Sequence, residues 1–126
     1  AHAPLPDPSA ELAGLLRDMP GPLRCPPEAS NGMNWNYIGS EPAHADAYAF
    51  PGHADDLTDF PPTYVENCEF DDLRSSGERF VEQLTQAGCD VAMVTAAGVP
   101  HGHLNAIGSP LTASSLDRFA AELTRT

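Results

Sequence analysis

Proline limits this chain more than any other residue. Eleven of its 13 prolines lie before residue 63, and only Pro100 and Pro110 follow. Each proline fixes φ at about −65° and removes a backbone donor, which bars long helices and paired strands from most of the first half. Residues 1–62 are therefore expected to be loops and short helices, with residues 63–126 carrying the regular structure. Asp7-Pro8-Ser9 offers a helix start, and Leu12, Leu15, Leu16 and Met19 make an apolar stripe behind it. The four prolines of PGPLRCPP end that helix. EASNGMNWNYI (28–38) can hold a second short helix, and 39–62 reads as a long loop.

Beyond Pro61-Pro62 the pattern changes. Thr63–Phe70 is β-branched and aromatic, as a strand requires. Leu73, Gly77, Phe80, Leu84 and Ala87 then recur at helical spacing, predicting a helix over about 74–88 with Gly88 closing it. Asp90–Thr95 is a short apolar run of strand length, and 96–110 reads as a Gly-rich loop with two histidines. Ser114-Ser115-Leu116-Asp117 resembles a capping box ahead of a last helix built on Leu116, Phe119, Ala120 and Leu123. Strand, helix, strand, helix predicts an α/β unit with two parallel strands and a right-handed crossover. Two parallel strands alone do not make a core. The sheet is therefore expected to continue elsewhere, in another segment, a second chain or a second copy of this one.

The charge balance narrows the partners. Six Lys and Arg face 18 Asp and Glu, for a net charge of −12. A nucleic-acid backbone or an anionic membrane needs the opposite sign. No apolar run approaches the roughly 18 residues of a membrane helix, and no leader pattern is visible. The three cysteines, Cys25, Cys68 and Cys89, are odd in number and lack a CxxC, which points to reduced thiols in a cytoplasmic setting.

Four carboxylates crowd the end of the first strand: Glu66, Glu69, Asp71 and Asp72. In parallel α/β sheets, function gathers at the carboxyl ends of strands. Asp71 follows the first strand and His101 stands about six residues past the second, so both fall on one rim. A carboxylate beside an imidazole is the orienting half of a nucleophilic triad. The alternative is that Asp71 or Asp72 caps the following helix, with the other acids as surface charge. Glu66 lies inside the strand, where a buried carboxylate is costly without a partner. His101-Gly102-His103, or His53 with Asp55 and Asp56, offers metal-ligand residue types as a rival reading. A second rival is a non-catalytic half-fold that assembles through its open sheet edge, as a homodimer for instance.

The stretch DLTDFPPTYVENCEFDDLRSSGERFVEQLTQAGCDVAMVTAAGVPHGHLN resembles the C-terminal part of an α/β-hydrolase, in the esterase/lipase group related to hormone-sensitive lipase. Glu69-Phe70-Asp71-Asp72-Leu73-Arg74-Ser75-Ser76-Gly77 fits that group's E-[FY]-D-x-L-R-x-x-G, with Asp72 where proline is common. His101-Gly102-His103 fits its histidine motif, with His103 in place of Phe. The resemblance covers residues 56–124. It implies Asp71 as triad acid, His101 as triad base, and structural roles for Arg74 and Gly77. Trp35 and Tyr37, within MNWNYIG, would wall the substrate pocket, with buried packing as their other reading; His103 would face the substrate as well.

The family's G-x-S-x-G elbow is missing. The nearest match, Glu28-Ala29-Ser30-Asn31-Gly32, has Glu28 in place of glycine and Pro26-Pro27 in place of a strand. The expectation is the C-terminal portion of a serine carboxylic-ester hydrolase acting on a small-molecule ester, without cofactor or metal. An N-terminal part would supply the serine and the oxyanion hole, and this chain alone would have little activity.

Overall fold

The computed structural model describes residues 1–125. In the first half, α1 (Ala10–Arg17) starts where Ser9 Oγ accepts the Leu12 N–H at 3.2 Å, and it buries Leu12 and Leu16. α2 (Pro27–Ile38) starts on a proline and stops at Gly39 in the left-handed conformation. Short 3-10 turns at Gly21–Leu23, Pro42–His44 and Pro51–His53, each with a proline in its first positions, fill the proline-rich stretches.

The second half is β1 (Thr63–Phe70), α3 (Arg74–Gln86), β2 (Val91–Pro100) and α4 (Pro110–Leu123). β1 and β2 run parallel, with Thr63 opposite Val91 and Cys68 opposite Ala96. Gly88 turns left-handed just past α3, as expected. Two boundaries differ from the sequence reading. β2 does not stop at Thr95 but continues to Pro100 through an irregularity between Cys68 and Phe70 of the ladder. Gly98 sits in it at φ +74°, and its N–H donates to Glu69 Oε2 at 2.6 Å. A bulge of this kind needs glycine and looks like a loop in sequence. α4 starts at Pro110, not near Ser114. Ser109 caps it by accepting the Leu111 N–H at 3.3 Å, and proline follows in the first turn.

One face of the sheet carries α3. Leu57, Phe80 and Leu84 form a buried cluster there, joined by Phe60, Ala87, Cys89 and Val91. Gly77 lets α3 approach, since a Cβ at that position would overlap the Asn67 side chain. α4 lies over the other face, where Phe119 meets Tyr64 edge-on at 5.4 Å. Residues 1–62 join this body through Leu57 and Phe60 in the α3 cluster and through polar clasps. Arg24 forks onto Asp72 at 2.7 and 2.9 Å and donates to Leu16 O. His2 Nε2 contacts Gln83 Oε1 at 2.8 Å, and Gln83 donates to Gly52 O.

The sheet has two strands among the described residues, so each strand keeps one unpaired edge. The accessible surface is 7675 Å², against roughly 6,500 Å² for a compact monomer of this mass. The molecule is a small parallel α/β unit, open where a larger sheet would continue. Among the described residues, no helix is long and apolar enough to cross a membrane.

Candidate active site

The bulge in β2 and the turn after β1 bring two side chains together across the strand ends. Because β2 runs on to Pro100, His101 follows its last residue directly, not six residues later. Its Nδ1 lies 2.8 Å from Asp71 Oδ2. The Asp71 side chain is 8% exposed and that of His101 58%. The other Asp71 oxygen, Oδ1, accepts the Leu73 N–H at 2.9 Å, and its carbonyl accepts the Arg74 N–H. The carboxylate thus braces the turn ahead of α3 and grips the imidazole, while the cap residue of α3 is Leu73 and takes no side-chain bond. An ionised carboxylate only accepts, so Nδ1 carries the proton and Nε2 keeps a free lone pair. Among the described residues, no group hydrogen-bonds that Nε2. The pair opens onto a cleft of about 460 Å³ with Leu73, Leu104 and Phe119 on its walls.

Glu66 and Asp72 are not surface charge. Glu66 is buried, its side chain 2% exposed, and Arg118 grips both its oxygens at 2.8 and 2.9 Å. Tyr64 Oη adds a bond at 2.7 Å. Arg118, outweighing the cost of burial, holds the Glu66 pKa down to about 2. Asp72 accepts the Arg24 fork and the Cys25 N–H at 2.8 Å, and its pKa is lowered chiefly by Arg24. Cys25 is therefore a neighbour of the acid turn, contrary to its distance in sequence; burial and then Asp72 push its thiol up. Burial likewise raises Cys68 to about 11, so it is a thiol near neutrality.

The other candidates fall elsewhere. His103 lines the same cleft, but its two ring nitrogens contact Cys68 Sγ at 3.3 Å and Ser115 Oγ at 2.8 Å. Trp35 and Tyr37 stand on α2, 47% and 78% exposed and off the cleft walls, so packing in a core is not their role in this chain. Ser30 is buried in the first turn of α2, not on a strand-to-helix elbow. The ring nitrogens of His53 contact Ala45 O and the Ala3 N–H, and Asp56 accepts from Thr58. Among the described residues, no three His, Cys, Asp or Glu side chains converge as metal ligands. Arg24, Ser115 and Arg118 escaped sequence reasoning, because pairs 48, 12 and 52 residues apart follow no period.

A buried acid thus meets a half-exposed histidine across neighbouring parallel strand ends. Residues 17–105 match the family model described as alpha/beta hydrolase fold, and the chain belongs to that family. It is 37% identical over 76 residues to the carboxylesterase NlhH of Mycobacterium tuberculosis, which covers 60% of this chain and 24% of that protein. It is 38% identical over 58 residues to the esterase LipI of the same organism, covering 46% and 18%. A bacterial heroin esterase structure superposes with a TM-score of 0.57 at 32% identity, over 62% of this chain and 25% of that one. The structure of DphMB1 superposes with a TM-score of 0.70 over 91% and 38%, at 22% identity, a likeness of fold. The chain spans about a quarter of the curated carboxylesterase it matches.

Proposed function

We propose that this chain supplies the acid and the base of a Ser-His-Asp triad in a carboxylic-ester hydrolase, with the nucleophilic serine and oxyanion hole on polypeptide outside these residues. The observation that carries this reading is the 2.8 Å contact between His101 Nδ1 and buried Asp71 Oδ2. In the reaction, the serine Oγ attacks the ester carbonyl carbon while His101 Nε2 takes its proton. Asp71 holds the ring and stabilises the imidazolium. His101 then gives the proton to the leaving alcohol as the C–O bond breaks. Water attacks the acyl-serine by the same route and releases the acid. The free sheet edges fit the rest of the hydrolase as partner. Trp35 and Tyr37, large and exposed on α2, are the residues proposed to meet the substrate's acyl or alcohol group once that part is in place.

The test is p-nitrophenyl acetate hydrolysis by the polypeptide that joins these residues to its nucleophile. His101→Ala and Asp71→Asn are each expected to lower kcat by about 10³–10⁴-fold with KM little changed. The amide variant is informative because it keeps the fold. If its oxygen stays on the Leu73 N–H, its NH2 meets His101 Nδ1 and forces the proton to Nε2, the wrong tautomer for a base. Activity within tenfold of the parent in either variant would overturn the reading.

A further inference from the structure

His101 and His103 are two residues apart, yet they face opposite ways. Gly102 sits between them at φ +77°, a left-handed reversal that sends His101 up to Asp71 and His103 back under the strand ends. There His103 Nδ1 meets Cys68 Sγ on β1 at 3.3 Å, and Nε2 meets Ser115 Oγ on α4 at 2.8 Å. Ser115 is fully buried, and its hydroxyl also accepts from Arg118 Nη2 at 3.0 Å. Arg118 in turn is forked onto buried Glu66. The backbone repeats the tie, because Thr112 Oγ1 donates to His103 O at 2.8 Å and to Ala106 O at 3.1 Å. The turn bearing His101 is thus pinned to the sheet and to α4 through one imidazole.

From this geometry we infer that His103 is a positioning residue: by bridging Cys68 and Ser115 it holds the 101–105 turn so that His101 keeps its Nδ1 on Asp71 and its Nε2 toward the cleft. This rests on the reading of Asp71 and His101 as the acid–base pair. An unbuttressed exposed histidine swings freely, and small losses of orientation are costly to a general base.

The test reads the His101 ring directly, in the 126-residue chain, by long-range ¹H–¹⁵N spectra of the histidine side chains. In the parent, His101 is expected as the Nδ1–H tautomer. In His103→Ala and in Ser115→Ala its tautomer ratio should fall about tenfold, toward the Nε2–H form that free imidazole side chains prefer. The double variant should lose no more than either single one, as for two residues on one strut. His103→Gln, whose amide reaches the Nε2 position, should restore the Nδ1–H form better than His103→Asn, which reaches only Nδ1. Methyl signals of Leu84 in the α3 core report that each variant is folded. If the parent shows no Nδ1–H form at His101, the triad reading fails and this inference with it. If the parent shows it and folded His103→Gln, His103→Asn and Ser115→Ala all keep it unchanged, the positioning role alone is overturned.

Discussion

Residues 63–125 present Phe80 and Leu84 on α3, where Leu57 and Phe60 of the first half pack against them, whereas the chain before Leu57 reaches the same body through Arg24 on Asp72, His2 on Gln83 and Gln83 on Gly52. The later region is organised by periodic apolar burial and the earlier one by side-chain clasps and scattered apolar anchors, Leu12 and Leu16 on α1 and Leu57 and Phe60 against α3. The difference separates two kinds of information in one sequence. Periodicity is legible along the chain; a clasp is visible only when both partners are placed.

The sharpest way to break the comparison is to cut the strongest clasp inside the periodic half. Arg118→Ala leaves Glu66 buried and charged with only the hydroxyls of Tyr64 and Ser115 beside it, and should destabilise the whole unit by about 3 kcal/mol in urea unfolding at pH 7. The same ion pair sets an acid limit. The folded Glu66 pKa is about 2 against its ordinary 4.5. Its contribution is therefore complete above pH 4.5 and drains away as pH falls from 4.5 toward 2. Urea midpoints taken across that window should drop steeply for the parent and less steeply for Arg118→Ala. A smaller loss, about 2 kcal/mol at the clasp itself, is expected for Asp72→Ala, which strands the Arg24 guanidinium and the Cys25 N–H. Hydrogen exchange should then speed up over residues 20–38 and stay slow over β1, α3 and β2. Equal acceleration in both halves would mean that the clasp is not separable from the core. The smallest effect should come from Arg79→Ala. Its 3.1 Å pair with Glu82 is exposed on both sides, and its loss should shift stability by less than about 0.5 kcal/mol.

Most of the second half could be read in advance. The β-branched and aromatic run Thr63–Phe70 is β1 to the residue. Leu73 through Ala87 at helical spacing is α3, which ends two residues early at Gln86. The sequence pattern ends β2 at Thr95, because Gly98 and Pro100 belong to a strand only when a bulge accommodates them. Ser114–Asp117 imitated a helix start, while Ser109-Pro110 made the real one. The 2.8 Å meeting of Asp71 and His101 was legible from their places past two neighbouring parallel strands, although β2 runs longer than the sequence pattern implies. The partners of Glu66, Asp72 and His103 were not, since Arg118, Arg24 and Ser115 stand at intervals that no helical or strand repeat marks. Glu66 was the one flag, as a carboxylate inside a strand demands a cation somewhere.

The crossover through α3 has a consequence for how the chain acquires its shape. β1 and β2 are separated by a single helix, so their contacts close short loops, whereas the Arg24–Asp72 and His2–Gln83 contacts close loops of 48 and 81 residues. Short loops close first, because closure entropy grows with length and non-local pairing slows the search. The β1–α3–β2 unit should therefore form in the rate-limiting step, with the proline-rich segment settling onto it afterwards. In a chevron plot, Asp72→Ala would then steepen nothing on the folding limb and raise the unfolding limb alone. The acid turn that organises His101 would exist before the segment carrying Trp35 and Tyr37 arrives beside it.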